Sequence, residues 1–184
     1  MSIFGFLFPR IPRDWPECRP VPLVFDLARR ALNGIAARDP VDRLRELGRP
    51  ANRDPLTTRI ACYPPLGIEI EHDGHRVDSF TCLFQPRPAA RRGRDGSAFQ
   101  PCRIELWRAD GGSVHVTADT TPEEIRSHFD SGRVHGDEDG TMLQVQEGDV
   151  WLYFDFGPDD RLRVLEIEPE PLFESELEPP TVEP

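Results

Sequence analysis

Lysine is absent from this chain of 184 residues: all 22 of its basic residues are arginine. That excludes Schiff-base chemistry, a lysine general base and the lysine of a phosphate-binding loop. Long hydrophobic runs are missing too, with nothing near the ~18 apolar residues of a membrane span. The apolar segment IFGFLF at 3–8 has no basic residue before it and is ended by Arg10, which is not the pattern of a secretion signal, so the expected location is cytoplasmic. Cysteine is sparse. Cys18, Cys62, Cys82 and Cys102 form no Cys-x-x-Cys pair and lack zinc spacing, and they read as reduced, mostly buried thiols. A disulfide between Cys62 and Cys82, in strands that read as neighbours, stays geometrically open. There is no G-x-S-x-G, no H-E-x-x-H and no glycine-rich phosphate loop, so no catalytic residue, cofactor or metal is assigned.

Apolar content, at 38%, falls below the usual ~45–50%. The 20 prolines are about twice the ordinary share. Many of the prolines lie at the ends, in a Pro-rich segment at 1–22 and a tail at 168–184. The tail holds Glu168, Glu170, Glu174, Glu176, Glu178 and Glu183 and no cation, so without it the formal charge of −11 becomes −11 + 6 = −5. It reads as disordered and acidic, or as a docking peptide built on Leu172, Phe173 and Leu177. Between the ends, 23–167 reads as one domain. A negative chain without lysine is a poor match for a nucleic-acid backbone, and the local run Arg87, Arg91, Arg92 and Arg94 reads as a solvated loop.

Alternation predicts strands at 23–27, 59–63, 67–72, 76–84, 102–107, 113–117, 142–146, 150–156 and 161–168, with a helical alternative for ARRAL after the first. Asp73-Gly74 marks a hairpin turn, as do the segments 109–112, 147–149 and 157–160. Two short helices are predicted. One starts at Asp39-Pro40 with Leu44 and Leu47 as its apolar stripe. The other starts at Thr121-Pro122, where Thr121 and Glu124 form a capping box and Ile125 and Phe129 share a face. The expected fold is α+β, an antiparallel meander sheet with both helices on one face.

The order helix-then-meander occurs twice, at about 33–84 and 114–167. With Leu47-Gly48-x-Pro50 after the first helix, the chain resembles the tandem α-β repeats of the β-lactamase-inhibitor proteins and of outer-membrane assembly lipoproteins of the SmpA/OmlA type. The resemblance implies protein binding through an exposed sheet face, not catalysis.

Strand parity tests that implication on the residues. Ile104, Leu106, Val114 and Val116 face the core, which leaves Arg103, Glu105, Trp107, His115 and Thr117 opposite; on 150–156, Trp151, Tyr153 and Asp155 oppose Leu152, Phe154 and Phe156. Arg103, Glu105, Trp107, His115, Trp151 and Tyr153 are therefore predicted to share one protein-binding surface, since Trp, Tyr and Arg anchor interfaces. The competing reading is ordinary cross-strand aromatic packing, or cover by the N-terminal segment. Glu69 and Glu71 read as a solvated face. A second function class is a small-ligand or metal-binding module, or an enzyme, using His115, His128 or His135 with carboxylates such as Asp137, Glu138 and Asp139.

Overall fold

In a computed structural model, the structure describes residues 15–52, 58–86, 98–129, 132–137 and 140–168. Among the described residues, twelve strands form two sheets. The larger is antiparallel and contains β4 (Ile60–Tyr63), β5 (Ile68–His72), β6 (Val77–Leu83), β9 (Gly132–Asp137), β10 (Gly140–Glu147), β11 (Val150–Phe156) and β12 (Leu162–Glu168), in the order β4-β5-β6-β12-β11-β10-β9. The smaller contains β1 (Leu23–Asp26), β2 (Ala31–Leu32), β3 (Ile35–Ala36), β7 (Ile104–Trp107) and β8 (Ser113–Val116), in the order β3-β2-β1-β7-β8. The chain is α+β, but the single meander expected from sequence is divided: β7 leaves it to pair in parallel with β1.

The division follows from burial. Phe25 and Leu23 on β1, with Ile104, Leu106, Val114 and Val116, join one core with Ile70, Phe80, Leu152, Phe154, Leu165 and Ile167 of the larger sheet. Phe25 meets Phe80 edge-on, ring centroids 5.4 Å apart and planes at 73°, an arrangement favoured by the aromatic quadrupole. Each sheet thus covers the apolar face of the other.

The ARRAL segment is not helical. Asn33 and Gly34 take φ of 48° and 84° and make a two-residue turn that pairs Leu32 with Ile35. The Asn33 side chain then accepts from the Val24 N–H at 2.8 Å and donates to the Pro22 carbonyl at 3.0 Å. The first predicted helix is a 3-10 helix, Val41–Glu46, without a side-chain cap. Asp39 is already engaged, accepting from the Ala36 N–H at 3.0 Å and pairing with Arg43 at 3.4 Å. A segment this short gains little from α-helical propagation. The second helix, α1 (Pro122–His128), is capped as expected. Residues 132–137, to which alternation assigns no strand, are β9, an edge strand templated by β10, which pairs His135 with Met142; its two glycines conceal it from any propensity argument.

Cys62 and Cys82 do not meet. β5 lies between their strands, with Cys62 opposite Glu69 and Cys82 opposite Ile68, so Cys82 faces the core and Cys62 the outer side. None of the four cysteines forms a disulfide. The Cys82 thiol instead lies against that of Cys102, whose pKa is pushed up by that hydrogen bond and by burial.

Candidate interaction site at the edge of the smaller sheet

The hairpin β7–β8 is closed by a turn in which the Arg108 carbonyl accepts from the Gly111 N–H at 3.1 Å and the Arg108 N–H donates to the Gly112 carbonyl at 2.9 Å. Gly111, at φ 86°, supplies the left-handed residue this turn requires. Asp110 locks it by accepting from the Gly112 N–H at 2.9 Å. Arg108 pairs with Glu147 at 3.2 Å and sits 5.5 Å over the Phe129 ring, which ties the hairpin to the larger sheet.

The register Glu105↔His115 and Trp107↔Ser113 places these four side chains together on the outer face. Trp107 is 49% exposed, high for a residue of its size. Glu105 sits at the centre of the group. Its pKa is lowered, first by the Ser113 hydroxyl, next by the Trp107 indole N–H, and then by His115; His115 Nε2 lies 3.8 Å from its carboxylate. A nucleophile triad needs an imidazole between hydroxyl and carboxylate. Here the carboxylate stands between Ser113 and His115, so the arrangement fixes side chains and does not activate the serine. Arg103, just before β7, is exposed on the same parity.

Five residues lead from β8 to α1, and side chains set their path. Thr120 Oγ1 accepts from the Thr117 N–H at 3.0 Å, Thr117 Oγ1 from the Asp119 N–H at 3.3 Å, and Glu124 from the Thr121 N–H at 2.8 Å. The helix starts at once beside the strand. Between them lies a cleft of about 380 Å³ lined by Ser113 and His115 on one side and by Asp119, Glu124 and His128 on the other.

The structure thus brings Arg103, Glu105, Trp107 and His115 together, and adds His128 from the second class of reading. It separates Trp151 and Tyr153, which belong to the larger sheet. Their rings stack at 6.4 Å, and Tyr153 is 4% exposed, so it is packed and not presented. The single surface predicted for all six residues is therefore two outer faces, because parity fixes the side of a strand but not its sheet. The His135 side chain, Asp137, Glu138 and Asp139 lie outside the described side chains. Ser113, Asp119 and Glu124 were missed as lining residues, although the capping box and the short β8–α1 link are the signal that draws them together. Among the described residues, no group of three His, Cys, Asp or Glu is placed to hold a metal ion, and no helix is long and apolar enough to cross a membrane.

No protein family, curated protein or solved structure matches the chain.

Proposed function

We propose that this protein is a non-enzymatic binding module for another protein, acting as an inhibitor, immunity factor or adaptor through the outer face of β7 and β8. The observation that carries the reading is Trp107: a half-exposed indole beside a carboxylate held by Ser113 and His115. Such a residue buries a large rigid area at small rotamer cost, and its polar neighbours are already placed. Two further features support kinship with tandem α-β repeats. β4–β5–β6 and β10–β11–β12 are both antiparallel meanders, and they join last strand to last strand through β6 and β12. A short helix precedes each group in the chain.

The test is affinity capture with the tagged full chain, wild type against Trp107→Ala. Loss of a stoichiometric partner, with stability lowered by less than about 1 kcal/mol, is expected. Retention of the partner, or a stability loss of about 3 kcal/mol or more as for a core aromatic, overturns the reading. Because His115 and His128 line one cleft, a small-ligand role for that cleft is the second reading. It requires a ligand that still binds Trp107→Ala and fails to bind His128→Ala.

A further inference from the structure

We propose that β8 takes up an extended basic peptide as an additional strand of the smaller sheet, laid in the cleft between β8 and α1. The inference deepens the protein-binding reading and rests on it, naming the partner's form and charge.

The hydrogen-bond phase of the hairpin carries the argument. The Leu27 N–H reaches the Trp107 carbonyl at 2.9 Å, and the Arg108 N–H reaches the Gly112 carbonyl at 2.9 Å. Odd residues of β7 therefore point their main chain at β1 and even residues at β8. In the antiparallel pairing the main-chain groups of Val114 and Val116 are used by β7, while those of Ser113, His115 and Thr117 point the other way, toward open solvent. The Thr117 N–H is closed by Thr120. The N–H and C=O groups of Ser113 and His115 have no hydrogen-bond partner among the described residues, and both residues are exposed. Two residues two apart with both groups outward are what an incoming strand pairs with.

Two other edges of this protein, those of β4 and β3, are treated differently. On β4 the Cys62 N–H donates to the Asn52 side chain at 3.0 Å, the Ile60 carbonyl accepts from it at 2.7 Å, and the Cys62 carbonyl accepts from the Ala51 N–H at 2.9 Å. On β3 the Ala36 N–H is taken by Asp39. Open edges invite pairing, and folds normally cover them. β8 is left open beside a cleft whose opposite wall is α1, and whose volume of about 380 Å³ suits a short segment and not a second folded sheet.

The cleft also selects the peptide. Asp119 and Glu124 contribute carboxylates and, among the described residues, no arginine lines it, in a chain of formal charge −11. Alternate side chains of an added strand would rest inward on Val114 and Ile125, both buried apolar residues, and outward near the carboxylates. The occupant is therefore an extended segment alternating basic and β-branched residues.

The experiment uses isotope-labelled full chain and an acetylated, amidated octapeptide alternating lysine and valine. At saturation, amide exchange at Ser113 and His115 should slow by at least about tenfold, with Val114 and Val116 unchanged and a glutamate–valine peptide giving no protection. N-methylation of the peptide amides in one phase should abolish the effect and in the other phase leave it. Unchanged exchange at Ser113 and His115, equal protection by the acidic peptide, or indifference to the methylation phase overturns the proposal. The two readings separate cleanly. Partner capture lost in Trp107→Ala without peptide protection removes strand addition alone, whereas peptide protection with capture intact in Trp107→Ala removes the sheet-face reading and leaves the edge.

Discussion

Replacing Glu168 with glutamine should stabilise the protein at pH 8 and leave it unchanged near pH 5. On the outer face of the larger sheet Glu69 and Glu166 flank Thr81 from opposite sides, Glu71 stands opposite Ser79, and Glu168 pairs with Trp151. Burial, then Glu166, then Glu71 push the Glu168 carboxyl from 4.5 up to about 7. A carboxyl with a raised pKa binds its proton more tightly in the folded state. Its stabilising contribution is complete below pH 4.5 and is lost as pH rises through about 7. Were the group fully buried, that loss would be about 3 kcal/mol at about 1.4 kcal/mol per tenfold change in proton affinity. Glu168 is only half-buried, and solvent screening reduces the expected loss to about 1 kcal/mol. Urea unfolding of wild type and Glu168→Gln at pH 5, 6, 7 and 8 reads it directly. The difference between them should grow from near zero to about 1 kcal/mol in the variant's favour. A difference that does not change with pH refutes the argument from crowded carboxylates.

Phe25→Ala should cost about 3–5 kcal/mol, because the ring is 1% exposed and is the edge-on contact between the sheets; a denaturant midpoint no lower than that of Trp107→Ala would show that the sheets do not share a core. Thr121→Ala should cost about 1 kcal/mol by removing one bond of the capping box, and Thr121→Ser should restore most of it. Equal losses in the two variants would assign the effect to lost packing instead.

Strand positions, the Asp73-Gly74 turn and the capped second helix were legible because each rests on a local rule. His75 and Arg76 donate to Asp73 at 2.6 and 2.7 Å, closing that turn from within. Sheet membership was not legible, because the pairing of β1 with β7 joins residues about eighty positions apart and no periodicity reports it. The consequence fell on the site. Trp107 and Trp151 have equivalent parity on their own strands, and only the pairing partners show that they leave the core on different faces. One signal was overlooked. Asn33-Gly34 is a strong hairpin marker, and reading it would have replaced the helical alternative by β2 and β3.

The two outer faces treat their carboxylates in opposite ways, and that difference bears on which one recognises a partner. Glu168 is raised by burial first and then by its acidic neighbours Glu166 and Glu71, so near neutral pH its face carries a repulsion that a bound cation would relieve. Glu105 is lowered because Ser113, Trp107 and His115 surround it with donors and positive potential. Its charge is therefore complete at neutral pH, and its neighbours hold it in place before any partner arrives. Ordering flexible side chains on association costs about 0.5–1.5 kcal/mol each, and on the β7–β8 face much of that ordering has been done in folding. The same face runs without interruption into the open edge at Ser113 and His115. A partner strand added there would bring its alternate side chains directly against Trp107's row, so edge and face form one recognition surface.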